Sequence, residues 1–170
     1  MDLTQLIRDI PDFPKPGIIF KDITPLLQSP EGFQNVIENF LDRYGQWEID
    51  AIAGIEARGF FFAVPVALAL GKPFIPIRKQ GKLPGRTRSV AYELEYGTGV
   101  VEMHEDGIAP GSKVLIMDDL LATGGTLGAS AELIEESGGT VAELAVLIEL
   151  EALEGRKILE GRQVYSILQF

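Results

Sequence analysis

Apolar and polar positions follow one another along the chain in patterns that predict strands and helices in turn. Apolar side chains recur every three or four residues from Phe33 to Tyr44, which is typical of a helix with one buried face. Residues 60–70 and 127–136 have helical composition, and glycines at 138 and 139 provide a stop after the second helix. Short apolar runs predict buried strands at residues 49–55, 74–77, 114–117, 141–150 and 164–168.

The alternation of strands and helices from residue 49 to residue 146 predicts an α/β fold. Connections of this kind favour a mostly parallel central sheet flanked by helices on both faces. Residues 90–103 alternate around Tyr96 and Gly97, which predicts a β-hairpin. We expect the loop at this hairpin to be flexible.

The amino-terminal segment predicts a small hood beside the sheet. Leu3, Leu6, Ile7 and Ile10 have the spacing of a short amphipathic helix, which Pro11 would end. Prolines and a glycine make regular structure unfavourable in residues 11–25. We expect residues 1–30 and the final strand to lie over the carboxyl ends of the sheet strands, within a single domain covering residues 1–170.

Composition narrows the class of protein. Hydrophobic residues make up 46% of the chain and charged residues 24%, which is an ordinary globular balance. The net charge of −10 disfavours a nucleic-acid partner. The sequence contains no cysteine, which excludes disulfides and thiolate sites and fits a cytoplasmic location. We expect neither a signal peptide nor a membrane partner, because no basic region precedes an apolar core and no apolar run could span a bilayer.

Candidate chemistry is concentrated between residues 114 and 136, where a strand, two acids, a small loop and a helix follow one another. Asp118 and Asp119 come directly after the apolar run, and acceptors of this kind suit the diol of a ribose. Backbone N–H groups that open a helix favour an anion, and glycine lets the backbone approach it closely. The residues that we expect to bind a phosphate are Ala122, Thr123, Gly124, Gly125 and Thr126.

One phosphate and one sugar diol together describe a ribose 5-phosphate. The loop lacks the Gly-Lys-Ser/Thr ending of a triphosphate site and the Gly-x-Gly-x-x-Gly pattern of a dinucleotide site. A plain turn with two exposed acids is the alternative. The grouping of acids, threonines and glycines at the carboxyl end of one strand favours a ligand site.

Positive charge is concentrated at two other places. Arg58 stands before the helix at residues 60–70, where a cation is unfavourable unless an anion also binds. Five of the fifteen basic residues lie within residues 78–88. This segment could be a solvated surface, but a mobile basic loop is well suited to attract and cover a polyphosphate. The cations that we expect to meet such a group are Arg58, Arg78, Lys79 and Lys82.

Residues 114–126 resemble the 5-phosphoribosyl 1-pyrophosphate (PRPP) motif of type I phosphoribosyltransferases. Residues 13–25, and residues 78–84 together with 92–97, resemble the adenine phosphoribosyltransferases in particular. The resemblance covers nearly the whole chain in the same order. It implies the type I fold, a homodimer, Mg²⁺ bound through PRPP, and transfer of the phosphoribosyl group to adenine, giving AMP and pyrophosphate in purine salvage.

The resemblance also implies roles for residues near the base. In the adenine family a phenylalanine stacks on the base and backbone groups beside it bind the base edge, which matches Phe20 with Ile19 and Lys21. The alternative is that this apolar stretch only covers an edge of the core. A carboxyl near the imidazole edge of the base matches Glu95, although spacing alone does not choose between Glu93 and Glu95.

Further implied roles concern the sugar and the leaving group. Ala57 and Arg58 match a loop that contacts pyrophosphate, in which the peptide before the arginine is often cis. Asp118 and Asp119 would hold the ribose hydroxyls and support the metal, while Glu95 would manage the proton of the purine. Two other functions remain open: transfer to a 6-oxopurine, and a PRPP-sensing regulator without enzymatic activity.

Overall fold

A computed structural model of the protein describes residues 1–94 and 97–170. The strands are β1 (Arg8–Pro11), β2 (Ile19–Asp22), β3 (Ala51–Ile55), β4 (Phe74–Lys79), β5 (Thr87–Glu93), β6 (Thr98–His104), β7 (Lys113–Leu121), β8 (Thr140–Glu149) and β9 (Val164–Gln169). The α-helices are α1 (Thr24–Leu27), α2 (Pro30–Tyr44), α3 (Phe60–Leu70) and α4 (Gly125–Glu136). Short 3₁₀ helices cover Leu3–Leu6, Glu151–Leu153 and Gly155–Lys157.

A seven-stranded sheet in the order β5-β6-β4-β3-β7-β8-β9 confirms the predicted fold class. All neighbouring pairs from β4 to β9 in this order are parallel, whereas β6 pairs antiparallel with β4 and β5 pairs antiparallel with β6. β3 is buried at every position, which explains why it reads as a continuous apolar run rather than an alternating one.

Two hydrophobic cores lie on opposite faces of the sheet. Alternate residues of β7 supply each of them: Leu115 and Met117 pack with α2 and α3, while Val114 and Ile116 pack with α4. Both faces of the sheet are therefore covered by helices, as predicted. The carboxyl ends of the parallel strands are left to carry ligand-binding groups.

The amino-terminal segment differs from the sequence prediction. Only Leu3–Leu6 is helical, and Arg8–Pro11 forms a strand instead of a second helical turn. The segment predicted to be irregular contains β2, which pairs antiparallel with β1 and places Phe20 opposite Ile10. Cross-strand pairing therefore overrides a helical spacing that covers barely two turns.

The last strand also differs from the prediction. We expected residues 164–168 to join the hood, but β9 is the edge strand of the main sheet and lies parallel to β8. The contact with the amino-terminal segment comes from Phe170, whose ring lies 4.1 Å from the Lys21 ammonium. A short, mostly apolar run such as residues 164–168 indicates a strand but carries no information on which sheet receives it.

The predicted hairpin is present and continues the main sheet. β5 and β6 pair from Thr87 opposite His104 to Glu93 opposite Thr98, and β6 also pairs with the end of β4. The basic segment after β4 therefore lies beside the carboxyl ends of the parallel strands. His104, the single histidine of the sequence, ends β6 with its Nε2 atom 2.8 Å from the Pro84 carbonyl oxygen.

Candidate active site

The two acids lie at the carboxyl half of β7, which is longer than predicted and extends to Leu121. Asp118 and Asp119 are 9% and 5% exposed, so both carboxyl groups are largely withdrawn from bulk water. The Asp119 backbone N–H donates to Asp118 Oδ1 over 2.8 Å, which fixes the first carboxyl against the strand. Gly59 makes this arrangement possible, because a Cβ atom there would lie 2.9 Å from Asp118 Oδ1.

Burial and mutual repulsion govern the charge of this pair. Burial, with the neighbouring Asp119 charge added to it, raises the pKa of Asp118 well above the ordinary carboxyl value. Burial also raises the pKa of Asp119, while the Arg58 charge opposes that rise. Ionisation of the pair therefore costs free energy. A bound group that supplies hydrogen-bond donors or positive charge would reduce this cost.

Arg58 connects the acids to the amino-terminal segment. Its Nη2 atom lies 2.8 Å from Asp119 Oδ2, while its guanidinium carbon lies 4.8 Å from the centre of the Phe20 ring. The contact with Asp119 is one of charge and lacks the alignment of a hydrogen bond, so Oδ2 is a buried acceptor with no hydrogen-bond donor among the described residues. One side chain thus joins a predicted base-binding residue to a predicted ribose-binding residue.

The predicted phosphate loop opens helix α4, which begins at Gly125 rather than at residue 127. Gly124 precedes the helix with φ of 90°, a left-handed conformation that favours glycine. The Gly128 N–H donates to the Gly124 carbonyl oxygen over 2.8 Å and closes the first turn. The backbone N–H groups before this turn have no helical carbonyl to bind, which leaves an anion-binding helix end.

Two adjoining cavities bring the predicted residues together. The first, of about 210 Å³, is lined by Arg58 and by residues 118–127, and so contains the whole phosphate loop. The second, of about 320 Å³, is lined by residues 55–58, 77–79, 118–119, Tyr92, Val101 and Thr126. Arg58, Asp118, Asp119 and Thr126 line both cavities, so the two acids stand between a phosphate-binding loop and a basic pocket.

Glu56 ties together the two basic stretches of the second cavity. Its Oε1 atom accepts a hydrogen bond from Arg78 Nη2 over 2.8 Å, and its Oε2 atom accepts one from the Lys79 backbone N–H over 3.0 Å. The hydrogen bond from Arg78 lowers the pKa of Glu56, so this carboxylate remains ionised at neutral pH. Sequence reasoning missed Glu56 because its partners follow a different strand.

The basic residues are not equivalent in the structure. Arg78 also donates from Nη1 to the Lys82 carbonyl oxygen over 3.0 Å, so its guanidinium group is largely engaged in holding the loop. Arg58, Arg78 and Lys79 line the second cavity, whereas Lys82 lies outside both linings. The Glu56–Ala57 peptide is cis, one bond earlier than the peptide preceding the arginine.

The predicted base-binding residues lie on the hood strand β2. Phe20 is half-buried, and the Phe13 ring lies 5.2 Å away in an edge-to-face arrangement. The Arg58 guanidinium group also packs against the Phe20 ring. Ile19 and Lys21 are two residues apart and therefore present their backbone groups to the same edge of β2. The Lys21 ammonium group is bound to Asp9 at 2.7 Å, so its side chain is not free for a ligand.

Sequence segment 90–103 contains one predicted residue and one missed residue. Glu95 is outside the described residues, so its predicted role stays a prediction. Tyr92 lines the second cavity, and its ring lies 3.1 Å from the position that a Cβ atom on Gly125 would occupy. The sequence pattern drew attention to the acids of this hairpin and gave no signal that Tyr92 would face α4.

Metal-binding capacity at the site is modest. No group of three or more His, Asp or Glu side chains suited to a metal ion occurs in the part of the chain that the structure describes. The Asp118–Asp119 pair offers two carboxyl groups, and Asp119 Oδ2 accepts no hydrogen bond from the described residues, which fits a metal ion that receives most of its oxygen ligands from a substrate. No helix within residues 1–94 or 97–170 has the length and apolar character to cross a membrane.

Comparisons with known proteins agree with this arrangement. Residues 22–162 match the phosphoribosyl transferase domain. The adenine phosphoribosyltransferase of Halothermothrix orenii is 58% identical over 99% of this chain and 99% of its own length. The crystal structure of the adenine phosphoribosyltransferase of Thermoanaerobacter pseudethanolicus is 50% identical, with a TM-score of 0.96 over 99% of this chain and 98% of that chain.

A solved complex is also similar. The adenine phosphoribosyltransferase of Saccharomyces cerevisiae with D-2,5-dideoxy-2,5-imino-altritol 1,6-bisphosphate and adenine is 39% identical, with a TM-score of 0.92. The match covers 98% of this chain and 96% of that chain.

Proposed function

The chain belongs to the phosphoribosyltransferase family, and from this premise we infer that it transfers the 5-phosphoribosyl group of PRPP to adenine. The products are AMP and pyrophosphate, and the reaction serves purine salvage. Its architecture is the type I phosphoribosyltransferase fold. The curated relatives match this chain over nearly their whole length, so the activity is that of the entire chain rather than of a part.

The observation that carries the proposal at the level of residues is the place of the two acids. Asp118 and Asp119 lie between the helix-opening loop of one cavity and the basic pocket of the other. PRPP has the same order of groups: a 5-phosphate, a ribose diol and a pyrophosphate. We assign the 5-phosphate to Ala122, Thr123, Gly124, Gly125 and Thr126, and the diol to the acids.

The pyrophosphate side supplies leaving-group stabilisation. The reaction is a substitution at the anomeric carbon, in which pyrophosphate departs with the bonding electrons and the sugar gains cationic character. Ala57, Arg58 and Lys79 line the cavity that would receive the pyrophosphate. Arg78 would hold the loop in place, and Lys82, which lies outside the lining, would approach the pyrophosphate from the loop. Donors placed where negative charge develops lower the barrier. Arg58 would turn from Asp119 to the pyrophosphate, which frees the acid for the ribose.

Mg²⁺ is the expected cofactor and would arrive bound to PRPP oxygens. It would neutralise part of the charge on the pyrophosphate when bound. Asp118 and Asp119 would support it through the ribose hydroxyls, because the described residues provide no larger set of metal ligands.

The hood would bind the base. Phe20 offers a ring for stacking, and the free edge of β2 offers the backbone groups of Ile19 and Lys21 to the adenine edge. Backbone groups of a short strand can read an amino purine without side-chain donors for an oxo group, which favours adenine over a 6-oxopurine. Glu95 would hold the proton at the imidazole edge.

We expect the enzyme to act as a homodimer in the cytoplasm, with adenine and PRPP as its partners and without nucleic acid or membrane. The family resemblance supports the dimer, and the lack of cysteine fits the compartment.

Pyrophosphate release tests the function. The protein is mixed with PRPP, Mg²⁺ and either adenine, hypoxanthine or guanine, and we expect release with adenine alone. Release with hypoxanthine or guanine at a comparable rate would identify a 6-oxopurine enzyme instead. Absence of release with every purine, together with PRPP-dependent DNA binding in a gel-shift experiment, would identify a regulator.

The Asp119→Asn variant tests the ribose assignment in the same assay. We expect kcat/KM for PRPP to fall by about 100-fold or more, because the replacement removes a charged acceptor facing the reacting sugar. Its thermal midpoint should stay close to that of the wild type. Turnover at the wild-type level in a folded Asp119→Asn protein would contradict the assignment.

A further inference from the structure

The phosphate loop is backed by a turn formed by residues 150–157, which we call the supporting turn. A Cβ atom on Gly155 would lie 2.3 Å from the Ala122 carbonyl oxygen, and one on Gly124 would lie 2.5 Å from the Gly155 carbonyl oxygen. The two backbones therefore touch with no room for a side chain between them. Any displacement of Gly155 must displace the loop.

Arg156 fixes the far end of the supporting turn to the sheet. Its Nε and Nη2 atoms donate to the two oxygens of Glu149 over 2.6 and 2.7 Å, and Nη1 donates to the Val164 carbonyl oxygen over 3.0 Å. Glu149 is 6% exposed and also accepts from Ser166 Oγ over 2.7 Å. The planar guanidinium group thus joins the turn to the last residue of β8 and to β9 in one fixed geometry.

The near end of the turn is held by the backbone. The Leu150 N–H donates to the Leu121 carbonyl oxygen over 2.9 Å, at the end of the strand that carries the acids. Between this point and Arg156 the chain doubles back at Glu154, whose φ of 51° is unusual for a residue other than glycine. The reversal places Gly155 against the loop, and Arg156 is the next residue along the chain.

We propose that Arg156 is a positioning residue for the 5-phosphate of the substrate. It lines neither cavity and acts through Gly155, which sets the position of the loop that receives the phosphate. The proposal rests on the proposed function, because it takes residues 122–126 as the 5-phosphate site. Its consequence is selective: ligands that carry the 5-phosphate depend on Arg156, whereas adenine and pyrophosphate do not.

The Arg156→Lys variant tests this in the reverse reaction, from AMP and pyrophosphate to adenine and PRPP. Lysine keeps the charge but loses the planar two-pronged contact with Glu149. We expect KM for AMP to rise about 10-fold, because a small displacement of a binding group by a distant substitution can have a large effect. We expect KM for pyrophosphate to stay within about two-fold of the wild type, because its pocket is untouched.

A binding measurement separates this role from general damage. AMP and adenosine differ only in the 5-phosphate, so the ratio of their dissociation constants, measured by calorimetry, reports on the loop alone. We expect the advantage of AMP over adenosine to shrink about 10-fold in Arg156→Lys. If this variant does not fold, Glu149→Gln takes its place, since it weakens the same contact while keeping the shape of the side chain.

Arg162→Lys is the matched control. Arg162 makes a similar two-pronged contact with Glu135, at 3.0 and 2.7 Å, near the far end of α4 from the loop. We expect its AMP-to-adenosine ratio and both KM values to match the wild type. Three outcomes would each overturn the proposal: equal effects in the two variants, a rise in KM for pyrophosphate that parallels the rise for AMP in Arg156→Lys, or an unchanged AMP-to-adenosine ratio in Arg156→Lys. A wild-type protein that binds neither AMP nor PRPP would instead refute the proposed function.

Discussion

Asp118 shows how a single residue places function in conflict with stability. It is buried beside a second acid, and both features raise its pKa above the ordinary value of 3.8. The folded protein therefore holds the Asp118 proton more tightly than the unfolded chain does. Ionising this group at neutral pH costs folding free energy, a cost that functional sites commonly carry.

The Asp118→Asn variant should therefore be more stable than the wild type at pH 8. Asparagine retains the oxygen that accepts the Asp119 N–H but never ionises. We expect a gain of about 1 kcal/mol, or a thermal midpoint higher by about 2–4 °C. Denaturant unfolding gives the free energy directly.

The stability gained in Asp118→Asn should depend on pH. A carboxyl with a raised folded-state pKa contributes its full stability at low pH and loses it as pH rises through the folded-state pKa. The advantage of Asp118→Asn should thus shrink as pH falls from 8 towards 3.8, the ordinary value. A gain that is the same at pH 8 and pH 5 would contradict the origin we assign to it.

Among the elements, the loops after β3 and β4 behave as one unit. Glu56 at the end of β3 binds both Arg78 and the Lys79 backbone at the end of β4. Strands that neighbour each other in a parallel sheet bring their carboxyl ends together, so the two loops meet above the same cavity. An acidic residue, Glu56, therefore holds in place the basic residues of the cavity that we assign to pyrophosphate.

Glu56→Gln tests this arrangement. Glutamine has one acceptor oxygen where Glu56 has two, so one of the two hydrogen bonds must be lost. We expect KM for PRPP, and KM for pyrophosphate in the reverse reaction, to rise about 10-fold while KM for AMP stays near the wild-type value. This pattern is the opposite of that expected for Arg156→Lys.

Glu48→Gln controls for the loss of one negative charge. Glu48 lies 3.2 Å from Lys113, and its side chain is 91% exposed, so its replacement should leave all KM values unchanged. An increase in KM for AMP as large as that for pyrophosphate in Glu56→Gln would show that Glu56 supports the fold rather than the loops.

Elements with a strong local pattern were predicted well, and those that depend on a distant partner were not. The parallel strands and the loop at residues 122–126 follow from apolar runs and from turn chemistry that are contiguous in sequence. β1 was predicted as helix, because the cross-strand partner of Ile10 is Phe20 and the spacing gave no hint of it. β9 was wrongly assigned to the hood, because its own sequence does not indicate that its partner is β8.

The candidate site divides in the same way. The acids, glycines and basic residues that line the two cavities could be selected from motifs, because their residue types and spacing alone indicate their chemistry. Glu56, Tyr92 and Arg156 were missed, since each matters through a neighbour that only the folded chain supplies. Sequence patterns thus recover most of the residues that line the cavities more readily than the residues that hold those in place.

At the scale of the whole molecule, helix α3 carries an exposed apolar surface. Phe61, Val64 and Leu68 are 44%, 44% and 82% exposed and lie along one side of α3, at helical spacing. The Phe61 N–H donates to the Arg58 carbonyl oxygen over 3.2 Å, so this surface begins next to a residue that lines the second cavity. We propose that a second copy of the chain covers this surface, in the homodimer that the family resemblance implies.

Leu68→Glu should convert the dimer to a monomer, because it buries a charge in an apolar contact. Light scattering after size-exclusion chromatography measures the change. Ile158→Glu, at a residue that is 60% exposed on another surface, should remain dimeric. A dimer that persists in a folded Leu68→Glu protein would place the interface elsewhere.

The close approach of Gly124 and Gly155 has a consequence for how this protein can change. A side chain at either position would collide with main-chain atoms of the opposite segment. A substitution at one glycine therefore cannot be compensated by a substitution at the other. A complete substitution scan should therefore find two intolerant sites far apart along the chain, one of them outside the linings of both cavities. Engineers who graft a different tail onto this scaffold must preserve that second glycine as carefully as Asp118 and Asp119.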